Sequence, residues 1–276
     1  DSKMTNNIQL RERIEPFKIF LYLWILILPW DFAKSIMGIF SIIAIIWWLI
    51  IGQRKGYFIK LKDILYNKPL IFFFIFLLYC YLSLSWTKNF SYGLNVLNDY
   101  KYYWILVPIF FTAFEKKDVK NAFYVLVFSF CLYALLSLSI FIGLFEIKDS
   151  NSSNPKGILA YALVTVYMAL NTLLAFYFYI KEENRKIKYI ILLISILSFF
   201  ALLANNGRIG QISFLVTVFI LMIYYRSYLF KYKKLLILFI FSFVVTITLI
   251  YSFGKLDRFI IGFKEMAVLK ETQFAG

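Results

Sequence analysis

The chain has 276 residues, 62% of them hydrophobic, 21% aromatic and only 16% charged, with a formal net charge of +15 and no histidine. Soluble domains carry about 25% charged and 45–50% apolar residues, so the composition excludes an ordinary water-soluble domain. The missing histidine removes imidazole acid–base chemistry and the commonest zinc ligand, and Cys80 and Cys131, both inside apolar runs, form neither a disulfide framework nor a metal-ligand spacing.

Taken in chain order, residues 1–16 read as a cytoplasmic N-terminal segment, in which Asp1-Ser2-Lys3 ahead of Met4 reads as a cloning remnant. Residues 17–252 read as a transmembrane bundle. Its apolar runs fall at about 17–31, 35–51, 69–86, 102–114, 121–145, 157–180, 189–204, 209–225 and 235–252. A helix crossing a bilayer needs roughly 17–25 apolar residues, and these runs are too long and continuous for barrel strands. The expectation is an all-α, polytopic membrane bundle of about nine spans. The fourth run is short and is expected to extend back through Leu97-Asn98-Asp99-Tyr100. The first lacks a small-residue cleavage site, so it reads as a retained helix. The Ile, Lys, Phe, Asn and Tyr bias resembles that of an AT-rich bacterial genome.

Charge then sets the orientation. With the N-terminus inside, the cytoplasmic side receives Lys3, Arg11, Arg13 and Lys18, Arg54 to Lys68, Lys116 to Lys120, Lys181 to Lys188, and Arg226 to Lys234, twenty basic residues in all. The opposite connections hold six: Lys34, Lys88, Lys101, Lys148, Lys156 and Arg208. The positive-inside rule therefore favours a cytoplasmic N-terminus. On that reading the net charge is mostly a topology signal and an attraction to anionic lipid, and no basic module for nucleic acid is present. Residues 253–276 would begin an external segment, and the odd number of spans favours a truncated chain.

The interiors of the runs hold no Asp, Glu, Lys or Arg, so the charged relays of ion-coupled transporters are missing. No span pair is broken at mid-membrane by Gly or Pro as inverted-repeat transporters require. Intramembrane proteolysis lacks both a buried Asp pair and a Ser-His arrangement. Polar groups collect instead in three outer stretches: "WTKNFSYGLNVLNDYKYYW" (86–104), "EIKDSNSSNPKGILAY" (146–161) and "ANNGRIG" (204–210).

Each polar candidate has an ordinary reading beside a functional one. Lys101 and Lys156 fit snorkelling anchors at span ends, and Asp99 fits a helix start. The aromatic segment fits an interfacial belt, and Asn205 and Asn206 fit helix-end and turn positions. Arg208 fits its ordinary reading less well. It lies on the side poor in basic residues, near a helix start whose dipole disfavours a cation, and close to hydrocarbon, where an unpaired charge is costly. An anion answers all three points: a helix start offers free N–H groups to phosphate, and the guanidinium fork pairs with it bidentately.

Three stretches in order, "LSLSWTKNFSYGLNVLNDYKYYWILVPIFF", "SNPKGILAYALVTVYMALN" and "LLANNGRIGQISFLV", resemble those of the O-antigen ligase and polymerase-like membrane glycosyltransferases, and the span order agrees over nearly the whole chain. The resemblance implies a metal-independent, cofactor-free, inverting transferase with a GT-C-like architecture in the bacterial inner membrane. It would take a glycan from undecaprenyl pyrophosphate at the periplasmic face and pass it to lipid A–core. It assigns Arg208 to the pyrophosphate as the catalytic cation, Lys101 to the second phosphate, and Lys156, with Asp99 and Asn206, to phosphate or glycan contacts. The family's base-like histidine lies in a large periplasmic loop beyond the ninth span, and this chain has none; a full-length chain without it would be inactive. An O-antigen polymerase, a protein oligosaccharyltransferase, a lipid or glycan transporter and a non-catalytic scaffold are the competing readings.

Overall fold

In the computed structural model, the described residues are 15–30, 34–224 and the isolated position 248. The N-terminal residues 1–14, the expected ninth span at 235–252 and the external segment 253–276 therefore lie outside the described residues, Thr248 apart. Among the described residues all regular structure is helical: α1 (Pro16–Ile27), α2 (Lys34–Gly52), α3 (Tyr57–Lys60), α4 (Lys68–Leu82), α5 (Phe90–Asn98), α6 (Tyr103–Ala113), α7 (Lys116–Phe141), α8 (Tyr161–Lys181), α9 (Arg185–Ala204) and α10 (Arg208–Tyr224), with short 3₁₀ turns between some of them. Among the described residues four helices are long and apolar enough to cross a membrane: Lys68–Trp86, α7, α8 and α9. A fifth span results if Ile36–Gly52 and Tyr57–Tyr66, bent by 104° at their junction, count as one.

The other apolar helices are shorter. α1 with its closing 3₁₀ turn covers Pro16–Trp30, close to the expected run at 17–31, and Pro29, which has no N–H, stands in that turn. α6 has 11 residues and gives way to extended backbone at Phe114. The expected backward extension is helical, but as α5 and the 3₁₀ turn Asp99–Tyr102, so the backbone of 90–113 is a series of short pieces. α10 is apolar over its 17 described residues and matches the expected run at 209–225.

The chain divides into two compact units, Asp1–Leu126 and Val127–Gly276, with α7 contributing to both. In the first, Phe17, Leu21 and Trp24, spaced along one face of α1, pack with Ala44 and Trp48 of α2, Tyr57 of α3, and Leu106, Ile109 and Ala113 of α6. Buried indole N–H groups need acceptors: Trp48 donates to Thr112 Oγ1 (3.0 Å) and Trp24 to Ser41 Oγ (3.3 Å). Gly56 turns the chain after α2 with a left-handed φ of 70°.

Lys18, near the start of α1, is buried at 8% exposure, and its Nζ donates to Asp118 Oδ2 at 2.7 Å, which pairs two residues that the charge reading put on the same side. Tyr22 donates to Asp118 Oδ1 (3.3 Å). Asp118 also accepts from the backbone N–H of Glu115 (2.9 Å), so it closes the start of α7 in the manner of a capping box. A cation held this way is a packed, paired group.

In the second unit α8 packs against both α9 and α10. The contact between α8 and α9 has a polar centre: the fully buried Asn171 donates from Nδ2 to Ser198 Oγ (2.8 Å) and to Val127 O (3.4 Å), and Ser195 donates to Thr172 O (2.9 Å). Asn184 caps α9 by accepting from the N–H groups of Lys186 and Ile187.

Candidate functional site

The site is built where α9 ends and α10 begins. α9 stops at Ala204 because Asn205 takes up extended backbone, and α10 starts three residues later at Arg208. Glycine at 207 and 210 serves packing here. A Cβ at either position would collide with Thr165 of α8, meeting its side chain and the Tyr161 carbonyl at 207 and its main chain at 210. These two bare positions let the first turn of α10 lie directly on the first turns of α8.

Asn205 is the fixed point. It is fully buried, and its Nδ2 donates to Ser137 Oγ (2.7 Å) and to Ala201 O (2.9 Å). Ser137 passes the chain on by donating to Pro155 O (2.7 Å). From the other side Gln211 Nε2 donates to Asn205 O (2.9 Å) and Leu202 O (3.2 Å), closing the short connection between α9 and α10. Asn205 Oδ1 has no donor among the described residues.

The loop that follows α7 is stitched to the same place. Two tight turns, marked by bridges Ile147–Ser150 and Asn151–Asn154, carry it across. Ser150 Oγ accepts from Gly157 N (2.9 Å) and donates to Asn154 O (3.2 Å). Tyr133 of α7 donates to Lys156 O (2.8 Å) and accepts from Leu159 N (3.0 Å). Gly157 has a φ of 67° and leaves no room for a Cβ beside the Tyr133 hydroxyl, so two constraints require glycine there.

Asn206 joins the two pieces. Its Nδ2 donates to Ser153 O (2.8 Å) and Asn154 Oδ1 (3.3 Å), two residues from Lys156 on one side and from Arg208 on the other. Lys156, Asn206 and Arg208 are thus brought to one end of the second unit. Both cations are half-buried, and neither the Arg208 guanidinium nor the Lys156 ammonium has a hydrogen-bond or ion-pair partner among the described residues. Arg208 is also the first residue of α10, at the positive end of the helix dipole. Two cations so placed can oppose the charge of an anion. Among the described residues no group of three His, Cys, Asp or Glu side chains could hold a metal ion.

Lys101 and Asp99 belong to the first unit, in the 3₁₀ turn Asp99–Tyr102. Lys101 is exposed and already engaged: its Nζ donates to Asn98 Oδ1 (2.9 Å) and lies 5.1 Å above the Tyr102 ring.

Sequence reasoning took Asn205 for a turn residue and passed over Tyr133 and Ser137. A signal was present: Ser129, Tyr133 and Ser137 recur every fourth residue on one face of an otherwise apolar helix, and all three are fully buried. No protein-family model, curated protein or solved structure matches the chain.

Proposed function

We propose that this chain belongs to a lipid-linked glycan transferase of the O-antigen ligase type, a nine-span GT-C-like protein of the bacterial inner membrane with its N-terminus in the cytoplasm. The donor is undecaprenyl pyrophosphate glycan and the acceptor is lipid A–core. The single observation that carries the reading is the pair of half-buried cations, Arg208 and Lys156, at one end of the second unit without a counter-charge among the described residues. A diphosphate with two adjacent negative groups is the ligand such a pair suits. Arg208 presents a fork to two phosphate oxygens and Lys156 a point charge.

In the reaction an acceptor hydroxyl attacks the anomeric carbon and releases its proton to water at the membrane surface, the bond from that carbon to the pyrophosphate oxygen breaks, and negative charge grows on the leaving group. Arg208 opposes that growth at the atoms where it develops. Removing one such preplaced donor costs on the order of 10²–10³ in rate. Asn206, bonded to the loop that carries Lys156, is the candidate for a glycan contact.

The test is a lipopolysaccharide gel from a ligase-null host carrying the gene or its Arg208→Ala or Arg208→Lys version at equal membrane expression. Polysaccharide-bearing bands are expected with the wild type, absent with Arg208→Ala and weak with Arg208→Lys, which keeps charge but loses the fork. Full bands with Arg208→Ala sink the arginine's role. Bands absent throughout, with longer glycan or glycosylated protein elsewhere, move the assignment to a polymerase or protein transferase.

A further inference from the structure

The turn between α8 and α9 lies at the other end of α9 from Arg208, and it carries a second cationic site that the transfer reading does not use. Both helices are long and apolar enough to cross a membrane, so the turn sits at headgroup level. An open depression of about 720 Å³ there is lined by Lys181, Arg185 and Lys188, with Tyr179 and Tyr189 beside them.

Among the described residues these cations form no ion pair. Lys181 and Arg185 make no hydrogen bond or ion pair through their side chains among the described residues, and Lys188 lies 5.0 Å over the Tyr179 ring. Glu182 and Glu183 also line the depression, which leaves it net positive by one. One Glu182 oxygen is taken by the backbone N–H of Asn184 (3.1 Å). The first turn of α9 adds Lys186 and no acid, where the helix dipole is itself positive. Its Lys186 and Ile187 N–H groups are occupied by Asn184, so an incoming anion would be met by side chains.

The surroundings say what kind of anion. Tyr177, Ile180, Tyr189 and Ile190 are all more than half exposed and continue from the depression along α8 and α9. A free phosphate has no use for that apolar border, whereas a headgroup with acyl chains covers it. We infer that the depression holds the phosphate of an anionic phospholipid headgroup, bound by Lys181 and Arg185, with its acyl chains along Ile180 and Ile190. A zwitterionic lipid brings its own cation to the same place and is disfavoured. This site is independent of the glycan-transfer reading.

The experiment is native mass spectrometry of the full chain released from detergent after titration with phosphatidylglycerol or phosphatidylcholine. One phosphatidylglycerol is expected to be retained in clear preference to phosphatidylcholine. Each cation near an anionic group accounts for about fivefold in binding, so Lys181→Gln/Arg185→Gln is expected to weaken retention about twentyfold. Lys62→Gln/Lys68→Gln, a charge-matched control in the first unit, leaves it unchanged. Glu183→Gln removes a repelling carboxylate and tightens retention, an arm that remains if the double variant does not fold. Equal retention of the two lipids, an equal loss in the control pair, no gain with Glu183→Gln, or full displacement of the lipid by millimolar glycerol phosphate each overturn the assignment.

Discussion

Gly210→Ala is a test in which the sign of the effect decides. In a helix interior alanine is better than glycine by about 0.8–1 kcal/mol, so an unconstrained Gly210 replaced by alanine stabilises the protein. The structure requires the reverse. The added Cβ meets the carbonyl carbon and oxygen of Thr165, main-chain atoms that cannot rotate away, and α10 must lift from α8 by about 1 Å. Overpacking of this kind costs typically 1–3 kcal/mol, and here it also strains the Gln211 bonds to Leu202 and Asn205. The net expectation is destabilisation of about 2 kcal/mol, roughly 4–8 °C in the midpoint of thermal unfolding in detergent for a chain of this size. Two controls sharpen it. Thr165→Ala does not rescue Gly210→Ala, since the clash is with backbone. Gly52→Ala, whose Cβ would meet only the Phe58 ring at 2.8 Å, is rescued by Phe58→Leu. A rise in midpoint with Gly210→Ala, or rescue by Thr165→Ala, refutes the close approach of α10 to α8.

Lys18→Met alone leaves Asp118 buried without its ammonium partner and is expected to cost about 3–5 kcal/mol; Lys18→Met/Asp118→Asn, which keeps an acceptor for Glu115 N–H, recovers most of it in chemical unfolding. The Glu15 carboxyl is held below its ordinary 4.5 by its bond to Lys55, with Tyr57 adding a second donor. A depressed carboxylate stabilises above its unfolded value and loses that contribution as pH falls through the folded one. Lys55→Gln is therefore destabilising at pH 7, and the gap to wild type narrows as pH falls below the ordinary carboxylate range in a pH series of melting points. Asn205→Ala breaks the bonds to Ser137 and Ala201 and costs about 1–3 kcal/mol, with a coupling of about 1 kcal/mol to Ser137→Ala in a double-mutant cycle. Tyr133→Phe frees Lys156 O and Leu159 N, and faster proteolytic cleavage within 144–158 is the expected reading.

What could be read from the sequence was what hydropathy carries locally. The apolar runs at 69–86, 121–145, 157–180 and 189–204 correspond to helices of spanning length because each needs only its own residues to declare itself. The break at "NNG" was equally plain, and the following Arg208 does begin a helix. The misses are all relations across distance. Lys18 and Asp118 lie 100 positions apart, so a cation near a span end looked like a loop charge. Asn205 and Ser137 are separated by 68, so a buried hub looked like a turn residue. Gly207 and Gly210 read as a loose polar signature, while their work is to let Thr165 approach, a fact about α8 that no local window contains.

The hydrogen bond from Asn171 to Ser198 bears on how the chain is assembled. Asn171 lies midway along α8, and α9 supplies the hydroxyl that receives its amide. An α8 released by itself into lipid would present a carboxamide to hydrocarbon near the bilayer centre, an expensive position for a polar group. The turn of only three residues before α9 brings the partner alongside within one helix length of synthesis. The two helices therefore settle as a hairpin, and α10, whose glycines need a completed α8 to lie on, can dock only afterwards. The order of docking in the second unit is in this way written into one buried amide and two missing side chains.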